Sequence, residues 1–160
     1  MPEKKTFQKR THLKNLHRIW KQATSDKYKE LQSEEKSIAE IMLQHPEYHD
    51  QFAMADKLAD REYDPNDVND PFVHIDIHLA IQGQLDSGEP VDTEIFIETM
   101  EAKGISRHEA IHCAGMILTK TMHETVQKLG YFEVYKYKEL LNRLKDVEPA
   151  DLETVLEREF

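Results

Sequence analysis

The sequence predicts an all-α fold: one domain across residues 1–160, built as a single helical bundle of about six to eight helices. Three observations carry that expectation. Apolar residues recur at three- and four-residue intervals along almost the whole chain, as helices with one buried face require. Helix start and stop signals punctuate those runs. The composition, 39% hydrophobic and 32% charged, is globular, and a chain of 160 residues can bury a core without disulfides.

The first helix covers about residues 4–23, with Phe7, Leu13, Leu16, Ile19, Trp20 and Ala23 facing inward, and Thr24-Ser25-Asp26 breaks it. A second helix aligns Tyr28, Leu31, Ile38, Met42 and His45, interrupted only by Glu35, and stops at Pro46, which has no backbone donor. Proline is well tolerated at a first helical position, so a short helix restarts there and runs to about Leu58. The acidic, turn-rich stretch 60–70 follows as the main loop. Residues 72–81 alternate apolar and polar like a strand. Asp70 as N-cap, Pro71 as first helical residue and the continuation through Leu85 decide for a helix instead. Its apolar residues lie on nearly every side, so it is read as the central, buried helix.

Residues 86–90 form a turn, and a helix over about 93–103 ends at Gly104. Ser106-Arg107-His108-Glu109 is a capping box that opens a long helix to Leu129, closed by Gly130. Its inner stripe is read as Ile111, Gly115, Leu118, Met122 and Leu129, with Gly115 letting another helix come close. A helix near 134–145 follows. After Pro149 comes a last amphipathic segment with Leu152, Val155, Leu156 and Phe160, part of an acidic extension over 148–160.

Several function classes are excluded as expectations. The lone Cys113 allows no intrachain disulfide, no apolar run approaches membrane-span length, and no secretory signal opens the chain, so a cytoplasmic protein is expected. Residues 1–29 carry nine Lys/Arg against Glu3 and Asp26, a formal +7, which leaves −17 for the rest of a chain whose net charge is −10. The acidic remainder repels phosphate backbones, so no nucleic-acid partner is expected. The basic N-terminal helix instead suits a protein partner or a second copy of the chain, with residues 1–12 as a removable arm. No phosphate-cradling glycine motif occurs, and neither nucleotide nor flavin is expected.

The histidines stand out. Three pairs lie four apart: His45/His49, His74/His78 and His108/His112. Random placement of nine histidines gives roughly half of one such pair, and three arise in roughly 1–2% of shuffles. Side chains at i and i+4 are neighbours on a helix and can chelate one ion, and imidazole suits zinc, iron or nickel. The simpler reading leaves each histidine hydrogen-bonded in a metal-free core. His108-Glu109-Ala110-Ile111-His112 also fits the zinc-peptidase pattern H-E-x-x-H. Glu109 already serves as the N3 member of the capping box, and His123 and Glu124 lie eleven and twelve residues beyond His112. At 1.5 Å per residue that is ~16–18 Å, too far to share an ion on an unbroken helix. A peptidase therefore ranks low. Cys113 does not face its neighbour His112 and reads as a small apolar residue.

Three stretches, Ile41 to His49 with its H-P-E-Y-H, Asp70 to Ile81 with Gln84 and Leu85, and the His108/His112 helix with Leu118 and Glu124, resemble an uncharacterised bacterial family, domain of unknown function eighteen-forty-one. The likeness covers about residues 13–145. It implies family-like positions at His45, His49, His74, His78, His108, His112 and Glu124, and none at Glu109. This chain departs from the pattern at Asp70, where the family has Asn, and in 86–103, which lacks the family's Pro-rich form. The family brings no established activity.

Two functions from different classes follow as expectations. One is a transition-metal site held by His74, His78 and His108 and/or His112, completed by His49 or a carboxylate such as Glu124. The other is a metal-free acidic adaptor or self-associating module. The geometric expectation is that His74, His78 and at least one of His108 and His112 converge on one point.

Overall fold

Two short polar caps set the helices that matter most for function. Asp70 Oδ1 accepts hydrogen bonds from the Phe72 and Val73 amides (2.9 and 3.4 Å), and Pro71 occupies the first helical position, where its missing N–H costs nothing. Ser106 and Glu109 form a reciprocal capping box: Ser106 Oγ accepts from the Glu109 amide, and the Glu109 carboxylate accepts from the Ser106 amide and hydroxyl.

The computed structural model describes the backbone of residues 2–59 and 69–160, and the side chains of 11–59 and 69–160. Every regular element among them is helical: α1 (Pro2–Ala23), α2 (Ser33–Leu43), α3 (His49–Ala53), α4 (Ala55–Leu58), α5 (Pro71–Ser87), α6 (Val91–Ala102), α7 (Arg107–Leu129), α8 (Val134–Leu144) and α9 (Leu152–Glu157), with 3-10 turns at Asp26–Glu30, Pro46–Tyr48 and Pro149–Asp151. The all-α expectation holds, and the ambiguous segment after Asp70 is helix. The 60–68 part of the expected loop and the Phe7 side chain lie outside the described residues. No helix among the described residues is long and apolar enough to cross a membrane.

The chain divides into two compact units, Met1–Asp76 and Ile77–Phe160. No sequence signal marks this boundary, because it falls inside the continuous helix α5. In the first unit, α1 packs on α2, α3 and α4 and buries Leu13, Leu16, Ile19 and Trp20. The second helix is shorter than its periodicity suggested. Its first turn is 3-10, and Glu35 is no interruption: its carboxylate accepts the Gln32 amide (3.0 Å) at the start of α2.

In the second unit, α6, α7 and α8 pack together around Phe96, Ile97, Ile117 and Leu140, and α9 adds Leu152 and Leu156. Gln84 of α5 is tied in by Thr93 and Tyr137, whose hydroxyls donate to its Oε1 (2.6 and 2.9 Å). One expectation is corrected on α7. Ala114, Gly115, Ile117, Leu118, Thr121 and Thr125 form its buried face, while Met122 and Leu129 are 46% and 51% exposed. Both sets recur at three- and four-residue steps, and the face that packs is rotated by roughly 60° about the axis from the expected stripe, toward Ala114, Thr121 and Thr125.

Candidate metal centre

The second unit brings three of the candidate histidines together. His108 and His112 follow the Ser106 cap on adjacent turns of α7, and their ring centroids lie 4.4 Å apart. His78 of α5 meets both: its ring centroid is 5.1 Å from His108, nearly parallel, and 4.7 Å from His112, edge-on. One ring nitrogen from each lies within 4.8 Å of the other two. His78 is buried at 4% exposure, whereas His108 and His112 are half-buried.

Glycine permits this approach. A Cβ at Gly115 would stand 2.7 Å from Ile77 Cγ2, against the ~3.5–4.0 Å of an ordinary carbon contact. Ile77 precedes His78, and Gly115 lies three residues after His112. The close α5–α7 contact therefore sits directly beside the imidazoles and sets their separation.

In the first unit, His45 and His74 meet. His74 is bound to His45, Nε2 to Nε2, at 2.9 Å. His45 Nδ1 stands 2.7 Å from the Ile41 carbonyl, which can only accept, so Nδ1 carries a proton there. Tyr48 lies against both rings, 6.1 Å from His45 and 5.4 Å from His74. The H-P-E-Y-H and P-F-x-H segments thus meet inside one unit.

The remaining candidates make other contacts. His49 packs its ring 4.6 Å from Trp20, and its Nε2 is buried without a hydrogen-bond partner. Glu124 sits between Lys120 and Lys128 (3.4 and 3.3 Å), which together hold its carboxyl below the usual range, Lys128 foremost. Glu109 is engaged in the cap, and its carboxyl is lowered chiefly by the Ser106 amide, then by the Ser106 hydroxyl, with smaller contributions from His108 and His112. Burial pushes the Cys113 thiol up, and the Glu109 charge adds to the effect. A protonated thiol is a poor nucleophile.

The geometry supplies a partner that the site reading left out: His45. Its signal was present in the sequence. A histidine directly before Pro46, at the end of a helical repeat, can reach back to a carbonyl that the terminating helix leaves short of donors.

The family model described as Domain of unknown function (DUF1841) matches residues 8–143, and the chain belongs to this family. No curated protein and no solved structure matches the chain.

Proposed function

We propose that this member of the family is a metal-binding helical protein that holds a divalent transition ion, zinc, iron or nickel, through His78, His108 and His112. The observation that carries the reading is the convergence of three imidazole nitrogens within 4.8 Å of one another, from two helices. Ligands of a tetrahedral ion at ~2.0–2.1 Å stand about 3.3–3.4 Å apart. The rings therefore need to close by roughly 1.5 Å at most to share one ion, within reach of small χ rotations.

Imidazole is borderline in softness and binds these ions in its neutral form. All three ligands being neutral, the ion retains its double positive charge, which polarises whatever oxygen or nitrogen donor completes its shell. Glu109 takes no part, since its carboxylate is committed to Ser106, and the zinc-peptidase reading gains no support from its position.

The test is a cobalt(II) titration of untagged protein followed by visible absorption. Nitrogen ligation should give d–d bands that saturate and that zinc displaces. His78→Ala and His112→Ala should each abolish them, while Glu124→Ala should leave them unchanged. Bands retained in both histidine variants would overturn the assignment and favour the metal-free adaptor.

A further inference from the structure

The outer side of α7 is apolar where a helix facing solvent normally carries charge. We infer that this face is the contact between two copies of the chain, which pair through it as a two-fold dimer. The inference goes beyond the proposed metal site and shares no residue with it.

Three observations carry it. First, the exposed apolar side chains are concentrated. Met122, Val126 and Leu129 follow one another along α7 at steps of four and three, each 44–51% exposed, and Tyr131, Val134 and Tyr135 are 49–84% exposed. Such steps place the first three on one side of the helix. Gly130 ends α7 in the left-handed region, with its amide donating to the Val126 carbonyl. A cap of this kind turns the chain back over the last helical turn, so Tyr131 extends the stripe at its end. Six of the ten large hydrophobic side chains exposed among the described residues fall within 122–135.

Second, the open area suits a dimer. At ~150–250 Å² for a large side chain, these exposures leave roughly 500–800 Å² uncovered. The largest apolar patch of an ordinary monomer is ~300–600 Å², and each side of a standard interface covers ~800 Å².

Third, charge identifies the occupant. The row beside the stripe, Thr119, His123 and Gln127, adds no formal charge to it, in a chain that is 32% charged with a net charge of −10. A second copy carries the same −10 and is repelled wherever charged surfaces meet, so an uncharged face is where self-association costs least. Methionine and tyrosine are also enriched, and charged residues depleted, at interface cores. The stripe is self-complementary as well. Two α7 helices laid antiparallel about a two-fold axis at Val126 set Val126 against Val126 and Met122 against Leu129. The basic N-terminal helix takes no part in this contact.

The experiment is sedimentation equilibrium of the untagged full-length chain, in chelator so that ion-bridged association does not count. With rising concentration the wild type should reach twice the 18.8 kDa of one chain. Val126→Lys, its fold checked by circular dichroism, should weaken association by about thirtyfold or more, as loss of a central interface residue does. Ile95→Lys, at an exposed apolar position on α6, should leave the dimer intact. Met122→Lys and Leu129→Glu should each dissociate alone, and their equimolar mixture should regain the dimer, because the antiparallel pairing opposes positions 122 and 129. Should Val126→Lys fail to fold, that mixture decides. A wild type that stays monomeric at every concentration would overturn the inference and leave the face to an unlike partner. A dimer retained by Val126→Lys, or one lost only when residues 1–12 are removed, would overturn it too. A mixture that stays monomeric would overturn the antiparallel pairing.

Discussion

Replacing Gly115 with alanine tests the helix contact on which the three-histidine site depends. The new Cβ would stand 2.7 Å from Ile77 Cγ2, about 1 Å inside an ordinary carbon contact. Cγ2 is attached directly to the branched Cβ of Ile77, and a β-branched residue in a helix has essentially one χ1 rotamer. It cannot swing aside as a long side chain would, so α5 and α7 must separate. Overpacking of this kind costs ~1–3 kcal/mol, and the better helix propensity of alanine returns ~1 kcal/mol. The net expectation is a loss of about 0–2 kcal/mol, or roughly 0–8 °C in thermal midpoint for a chain of this size. The effect on metal affinity should be larger in proportion, because His78 moves away from His112 with the helix while ligand distances tolerate only ~0.2 Å. The decisive form is a double-mutant cycle read by urea denaturation and by zinc calorimetry. Ile77→Ala removes Cγ2 and should restore zinc affinity to Gly115→Ala, with a coupling energy of about 1–2 kcal/mol in stability. Strict additivity of the two substitutions, with zinc affinity unchanged in Gly115→Ala, would refute the close-approach argument.

Other outcomes follow from the same structure. Saturating zinc, at a hundredfold above its dissociation constant, should add ~2.7 kcal/mol of stability and raise the midpoint by roughly 5–11 °C, a rise that chelator should reverse and scanning calorimetry would register. Tyr137→Phe removes the hydroxyl that donates to Gln84 (2.9 Å) and should cost ~0.5–1.5 kcal/mol in denaturant unfolding, while Thr93 still satisfies the amide oxygen. His12 pairs with Asp76 at 3.2 Å, and this hydrogen bond raises its pKa above 6.5. The interaction therefore stabilises the fold below that pH and is lost as pH rises through the higher folded value. An NMR titration should show the elevated His12 midpoint in the wild type and its return toward 6.5 in Asp76→Asn. Glu109→Gln should leave zinc affinity within about twofold of wild type, since its role is the cap, and isothermal calorimetry on the folded variant would show any larger change.

Helix identity was legible wherever a local signal sufficed. Asp70 with Pro71, and Ser106 with Glu109, fix the starts of α5 and α7 through contacts within four residues, so a linear reading reaches them. The strand-like alternation of residues 72–81 yielded to helix for the same reason: the cap and the segment length outweigh the period. Glu35 was misread because a capping carboxylate looks, in a periodicity scan, like a polar residue on the wrong face. Met122 and Leu129 show the complementary error, since helical spacing tells which residues share a stripe but not whether anything packs against it.

The site was legible in part. Paired spacing identified His74, His78, His108 and His112, and the glycine that lets α5 meet α7 was visible as Gly115. Which histidines meet could not be read from spacing. His74 and His78 share a helix, yet His74 bonds His45 while His78 joins His108 and His112. Residues four apart differ by about 40° around the axis, and the partner of each ring is fixed by long-range packing. Glu124 is occupied by two lysines one turn away on either side, an i,i+4 pattern that the sequence displays and that competes with any ligand role.

The most direct measurement is the anomalous difference density of crystals grown with zinc and collected on both sides of its absorption edge. The account predicts a peak at ~2.0–2.1 Å from one nitrogen each of His78, His108 and His112. A zinc peak only at surface carboxylates, with those three imidazoles hydrogen-bonded to protein groups and no ion among them, would contradict it.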